Sequence, residues 1–229
     1  MSEKPVKVRC MERTFEWESR TRLVHEVANL LRERIYSGQL SPGDHLRQVQ
    51  ISTTLKVSRT PVREAFRVLE QEGLVTQSSG GAVRVVSVCP DELLDAYAMR
   101  EVIDGLAARE ASKHADDAAL EILLDLVEQQ RRSVDPWVPQ DYTNLNVQFH
   151  ATILDLAGNK FLSRELPLVR MTSQVFTPSS MLNRDRATRA IEEHVEIVEA
   201  IRSGDGDRAE AIARRHIRTT IDHLTRAST

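Results

Sequence analysis

Apolar residues recur along this chain at two different periods, and the change of period divides it. Leu23, Val24, Val27, Leu30, Leu31 and Ile35 fall at helical spacing and predict a leading amphipathic helix. The run Gly38-Gln39-Leu40-Ser41-Pro42-Gly43 breaks it with turn-forming residues. Val49, Ile51 and Leu55 then mark a shorter helix, while Val62, Ala65, Phe66 and Leu69 recur at i, i+3, i+4 and i+7 on the next. Only Lys56-Val57 connects the two, which is helix-turn-helix spacing. Leu74-Val75-Thr76-Gln77 and Ala82 to Val88 are β-branched runs flanking Ser78-Ser79-Gly80-Gly81, the pattern of a hairpin. Three helices followed by a hairpin predict a winged helix-turn-helix domain.

From Asp91 onward the strand signals vanish. Leu93, Leu94, Tyr97, Ala98, Val102, Ile103 and Leu106 form one helical stripe, and Leu120, Leu123, Leu124 and Val127 a second. Helices are also expected over Tyr142 to Leu156, Phe161 to Phe176, Arg184 to Arg202 and Asp205 to Leu224. The expected fold is mainly α, an N-terminal winged helix-turn-helix domain followed by a C-terminal all-α antiparallel six-helix bundle. Cys89-Pro90-Asp91 reads as the junction, with Pro90 ending the hairpin and Asp91 able to cap the next helix. This places an N-terminal extension at 1–19, the DNA-binding domain at 20–89 and the bundle at 90–229. A chain of 229 residues is long enough for both domains to hold their own cores.

Charge separates the same two parts. The first 90 residues carry 14 basic and 10 acidic side chains, a net of +4; the rest carry 17 and 24, a net of −7, together the −3 of the whole chain. The basic part is where nucleic acid is expected, and the acidic part should be repelled by phosphates. Met1 to Glu18 lacks the apolar run of a signal peptide, and no later stretch is apolar for long enough to span a bilayer. A soluble, cytoplasmic protein without a membrane partner is expected. Cys10 and Cys89 stand outside any paired motif, so reduced thiols are the expectation.

The front of the third helix carries the first candidate chemistry. Ser58 or Thr60 can cap its exposed backbone donors, and Pro61 falls in the first turn, where a missing N–H costs nothing. Arg59, Arg63 and Arg67 project away from the apolar face. Such a helix is either the reading helix of a DNA-binding motif or an ordinary amphipathic helix with solvated arginines. In the bundle, Asn146 and His150 stand at i and i+4 and share a face with Val147, Ile153 and Leu154. His194 lies in the stripe of Ile191, Val198 and Ile201, and His216 lies between Ile212 and Thr220 on the last helix. Each alone reads equally as a hydrogen-bonded core histidine. Together, three inward imidazoles and the Asn146 carbonyl oxygen form a candidate site for a divalent ion. Periodicity leaves open whether they converge.

Gly38-x-Leu40-x-Pro42-Gly43, Val57-Ser58-Arg59-Thr60-Pro61-Val62-Arg63-Glu64-Ala65 and Glu72-Gly73-Leu74-Val75, in that order, resemble the GntR family of bacterial transcription regulators over residues 20 to 88. The position before Val57, usually glycine in that family, is Lys56 here; it adds a phosphate contact or tolerates a strained turn. The bundle resembles the FCD effector domain of the FadR subfamily, and six helices suggest its VanR-type branch. The shared features are Asn146-x-x-x-His150, His194, His216 and the run Phe149-His150-x-x-Ile153-x-x-x-Ala157-Gly158-Asn159. The resemblance implies a metal at Asn146, His150, His194 and His216, with zinc or nickel suited to three imidazoles and His223 as a spare ligand. Aspartate is the commoner first ligand, so Asn146 leaves the site one negative charge short. His25, His45 and His114 fall outside the pattern.

Arg100 occupies a position where these bundles usually carry arginine. It either clamps the carboxylate of a small organic-acid effector bidentately or forms a surface ion pair with Glu101 or Asp104. The implied function is that of a repressor, a homodimer on a pseudo-palindromic double-stranded operator. Arg59 and Arg63 would lie near base edges, Ser58 and Thr60 on phosphates, and Gly80 and Gly81 would let the wing approach the backbone. Two other readings remain at this point: a metal-dependent hydrolase, weakened by the lack of an evident general base, and a ligand-free dimerisation module.

Overall fold

The computed structural model describes residues 20–177 and 183–227. The extension read at 1–19 lies outside the described residues. The chain divides into two compact units, with the boundary between Ser87 and Val88.

In the first unit α1 (Arg20–Tyr36), α2 (Gln48–Thr54) and α3 (Arg59–Gln71) are followed by β2 (Val75–Gln77) and β3 (Val83–Val85). A short strand that the periodicity does not show, β1 (His45–Leu46), completes a three-stranded antiparallel sheet in the order β1-β3-β2. His45 pairs with Arg84 and Val75 with Val85. Two residues are too few for alternation to register, so β1 is visible only through its partner. The core is built as the spacing requires: Val27, Leu31 and Ile35 of α1 are buried, as are Val62, Ala65, Phe66 and Leu69 of α3. A two-pronged ion pair ties the two helices, Arg32 Nε to Glu72 Oε2 at 2.8 Å and Arg32 Nη2 to Oε1 at 2.6 Å. Val49, read as part of the apolar face of α2, is instead 53% exposed, and the buried face runs through Ile51, Ser52 and Leu55.

The turn between α2 and α3 is strained at Lys56. Lys56 has φ 54°, a left-handed conformation that costs a side-chain-bearing residue roughly 1–2 kcal/mol. It is the only described non-glycine residue with positive φ. Ser58 is the N-cap residue of α3, but its hydroxyl makes no capping bond.

The second unit is all helix: α4 (Pro90–Ala111), α5 (Asp117–Ser133), α6 (Pro139–Leu156), α7 (Leu166–Arg170), α8 (Arg184–Arg202) and α9 (Gly206–Ala227). A 3₁₀ turn (Ser163–Glu165) leads into α7, and a π-helical stretch (Met171–Phe176) continues it. Phe161, expected to begin that helix, is exposed ahead of it. Cys89, not Asp91, is the N-cap of α4; the Glu92 carboxylate accepts from the Cys89 N–H at 2.7 Å. The stripe read on α4 is partly wrong. Leu93, Tyr97 and Ile103 are buried, but Val102 is 48% and Leu106 37% exposed. The buried face runs instead through Arg100, Asp104, Ala107, Ala108 and Ala111. Gly105 belongs to this face, and its missing Cβ leaves room for the Arg214 stem of α9, whose Cγ would lie 2.6 Å from such a Cβ. On α5 the correction is smaller, with Leu126 buried and Leu124 at the surface.

Candidate metal centre and reading helix

Three helices bring the histidines together. His150 on α6, His194 on α8 and His216 on α9 are all buried, and one ligand nitrogen from each lies within 4.8 Å of the others. The ring centroids of His194 and His216 are 4.7 Å apart, and those of His150 and His216 5.3 Å. Phe149 stacks on His194 at 4.2 Å and walls off that side.

What holds the rings is as informative as their meeting. His150 Nδ1 faces Asp104 Oδ1 at 3.2 Å, His194 Nδ1 faces Gln130 Oε1 at 2.8 Å, and His216 Nδ1 faces Glu193 Oε2 at 2.6 Å. An ionised carboxylate or an amide oxygen only accepts, so each Nδ1 carries the hydrogen and each Nε2 keeps its lone pair. The Gln130 amide is itself oriented, since its Nε2 donates to the Leu145 carbonyl at 3.2 Å. Nε2 of His150 and of His194 is buried without any hydrogen-bond partner. Orphaned acceptors of this kind cost about 1–3 kcal/mol each unless something electrophilic meets them. Three neutral imidazoles with tied Nδ1 atoms and converging lone pairs fit a divalent ion of the zinc or nickel type.

Two of the three ligand supports extend into a second layer built alike. The Arg100 guanidinium, 2% exposed, donates from Nε to Asp104 Oδ2 at 2.9 Å, and Asp104 in turn holds His150. The Arg186 guanidinium donates from Nη2 to Glu193 Oε2 at 3.0 Å, and that oxygen also holds His216. Each is an arginine–carboxylate–histidine relay. Arg100 is further pinned through Nη1 to Ser173 Oγ at 3.0 Å and Thr172 Oγ1 at 3.3 Å, both from the π-helical stretch. Arg186 is pinned to Thr220 Oγ1 at 2.9 Å. Neither arginine is saturated: Nη2 of Arg100 and both Nε and Nη1 of Arg186 are buried with no partner.

Burial would raise the Asp104 carboxyl, but Arg100 and then His150 override it and hold it well below the ordinary carboxylate range. Burial lowers all three imidazoles, and the neighbouring rings and guanidinia lower His194 and His216 further. They are therefore neutral at pH 7, the form in which nitrogen binds a metal. A cavity of about 80 Å³ opens beside them, lined by Arg100, Asn146, His150, Arg186 and His216 among others. Asn146 is half-buried in its wall, one helical turn before His150. His223 reaches the same cavity, with Nε2 3.3 Å from Asn183 Nδ2, but is not part of the histidine cluster. Arg100 is thus no surface ion pair; its partner Asp104 is as buried as it is.

Gln130, Glu193 and Arg186 escaped the sequence reading, and Asp104 entered it only as a surface partner of Arg100. Gln130 had a signal: it continues the stripe Leu120, Leu123, Val127 at i+3, a polar residue where an apolar one belongs. Asp104 had another, one turn from Arg100. Nothing in the sequence distinguishes Arg186 from its arginine neighbours Arg184 and Arg189.

In the other unit the predicted cations do face outward. Arg59, Arg63 and Arg67 are exposed along one side of α3, with Ser58 beside them and Thr60 half-buried. Arg63 and Arg67 both approach Glu64, at 3.5 and 3.0 Å, whereas Arg59 has no ion-pair partner among the described residues. Gly80 and Gly81 are exposed at the wing tip, and of the two only Gly81, φ 79°, needs glycine's conformational freedom.

A basic winged helix followed by an all-helical domain is the make-up of a DNA-binding regulator. Family models agree on both halves, the "Bacterial regulatory proteins, gntR family" over residues 23–85 and the FCD domain over residues 95–219. The chain belongs to the GntR family of transcription regulators, with an FCD effector domain. Its relatives are transcriptional regulators and repressors. It is 24% identical over 92% of its length to 94% of an uncharacterized HTH-type transcriptional regulator, YdhC, of Bacillus subtilis. It is 28% identical over 90% of its length to 91% of a probable D-xylose utilization operon transcriptional repressor of Paenarthrobacter nicotinovorans. Among solved structures, Escherichia coli McbR/YncC superposes with a TM-score of 0.78 at 21% identity, covering 90% of this chain and 99% of that one. A putative GntR regulator from Rhodococcus superposes at 0.75 with 23% identity, covering 89% and 98%. No helix among the described residues is long and apolar enough to cross a membrane.

Proposed function

We propose that this protein is a metal-containing, metabolite-responsive repressor. His150, His194 and His216 hold a divalent zinc or nickel ion through Nε2, with the Asn146 side-chain oxygen as the fourth protein donor and positions left for an effector. When bound, the ion supplies a Lewis-acidic anchor for a carboxylate. Arg100 supplies the remaining contact through its unpaired Nη2, so the effector is a small organic acid. The observation that carries this reading is the pair of buried, partnerless Nε2 atoms on His150 and His194, each opposite a tied Nδ1.

On the DNA side, Arg59 and Arg63 read base edges in the major groove, Ser58 and Thr60 contact phosphates, and Gly80 and Gly81 bring the wing close to the backbone. A homodimer places two such heads on a pseudo-palindromic operator. The exposed apolar stripe of Met99, Val102 and Leu106 on α4 supports such an association. Effector occupancy changes operator affinity only by its differential affinity for two states, typically ~1–3 kcal/mol.

Elemental analysis of the purified full chain tests the centre. About one zinc or nickel per chain is expected, lost in His194→Ala. Stoichiometric metal that survives His150→Ala and His194→Ala would remove the site.

A further inference from the structure

Arg186 plays no part in the reading above, and its surroundings suggest what it is for. Its guanidinium is nine-tenths buried, lines the cavity shared with Arg100, Asn146, His150 and His216, and leaves Nε and Nη1 without partners. Buried guanidinium donors left unmade are expensive, more so than neutral ones, and here the side chain that carries them lines a cavity. Arg100 presents one further unpaired donor, Nη2. The two arginines come from different helices, α4 and α8, and belong to the separate relays that end on His150 and His216.

Charge counting narrows the ligand. Arg100 is balanced by Asp104 and Arg186 by Glu193, so each relay is internally neutral. The imidazoles, Gln130 and Asn146 add nothing. A divalent ion held by an all-neutral ligand set keeps both of its positive charges, and a buried site with two uncompensated charges favours a dianion. Size is compatible with that. A cavity of about 80 Å³ has room for roughly five to eight water-sized groups, enough for a short chain with two carboxylates.

We infer that the effector is a short dicarboxylate, one carboxylate anchored on the Arg100 side of the histidine centre and the other received by the unpaired Nε and Nη1 of Arg186. The inference rests on the organic-acid reading of the site and specifies it. Arg186 is then a specificity residue: it separates dicarboxylates from monocarboxylates of the same length.

Calorimetric titration of the zinc-loaded full chain with acetate, malonate and succinate, at matched ionic strength, tests it. Malonate or succinate is expected to bind at least tenfold more tightly than acetate, and Arg186→Gln to bring that ratio close to one. Because Arg186 also braces Glu193 and Thr220, Arg186→Lys is the companion variant. It keeps a charge for Glu193 but lacks the planar fork, and most of the preference should go with it. Wild-type protein that binds acetate and both dicarboxylates equally overturns the inference whatever the variants do. If that equal binding still depends on Arg100, as Arg100→Gln would show, the organic-acid reading survives alone. A dicarboxylate preference that needs Arg186 but not Arg100 sinks the Arg100 assignment instead, and no binding of any of the three sinks both.

Discussion

Arginine is used in opposite ways in the two units. Arg59 and Arg63 of the winged domain are exposed on a helix whose other face is packed, and Arg59 has no ionic partner among the described residues. Arg100 and Arg186 of the bundle are buried, each closed on a carboxylate, each with a donor left without a partner, and both line one cavity. The first arrangement keeps cations hydrated until a polyanion arrives; the second takes them out of water and orients them in advance. A solvated cation can be changed at little cost to folding, whereas a buried one cannot be left unbalanced.

That contrast can be broken most forcefully at Asp104. Asp104→Ala strands the buried Arg100 and frees His150 Nδ1, so the bundle should lose ~3–5 kcal/mol, read by chemical denaturation of the full chain. A loss within experimental error would show that the Arg100 relay is not the buried network described here. Acidification is the next largest effect. The three imidazoles are depressed in the folded state, chiefly by burial, so the unfolded chain binds more protons as pH falls below the ordinary histidine value of about 6.5. Stability is fully present above that pH and is lost progressively below it. The melting temperature should therefore fall by several degrees between pH 7.5 and pH 5, and any bound ion should leave over the same range. A flat profile across that window contradicts neutral, buried rings.

Arg59→Ala sharpens the other side of the comparison. It should weaken operator binding by ~1–3 kcal/mol and relax sequence choice, while leaving the melting temperature unchanged. Equal titrations of cognate and scrambled duplexes by wild type and variant remove Arg59 from base reading. The smallest expected effect is at Lys56. Replacing it with glycine relieves the left-handed backbone and should stabilise the winged domain by about 1 kcal/mol at most, visible as a small upward shift in its unfolding midpoint. Destabilisation would mean that the Lys56 side chain contributes more than its backbone costs.

Much of the winged domain is legible because its signals are local. Val62, Ala65, Phe66 and Leu69 repeat at the helical period, and Ser78 to Gly81 separate two β-branched runs, so neighbours in sequence report on one another. β1 escaped because its two residues acquire meaning only beside Arg84 and Val83. On α4 the same logic misled: Val102 and Leu106 are apolar yet exposed, while Arg100 and Asp104 are charged yet buried, because the pair neutralises itself one turn apart. Hydropathy scores residues singly and cannot see that cancellation.

The sequence by itself determined which residue types were present at which helical phase: an arginine-fronted amphipathic helix, and His150, His194 and His216 each on the apolar side of its own helix. Only the tertiary structure decided that these rings meet, that Asp104, Gln130 and Glu193 tie their far nitrogens, and that Arg186 rather than one of its arginine neighbours turns inward. The physical reason is range. Helical phase is set within a few residues of chain, whereas convergence depends on how α4, α6, α8 and α9 pack, over separations of up to 117 residues that no local pattern records.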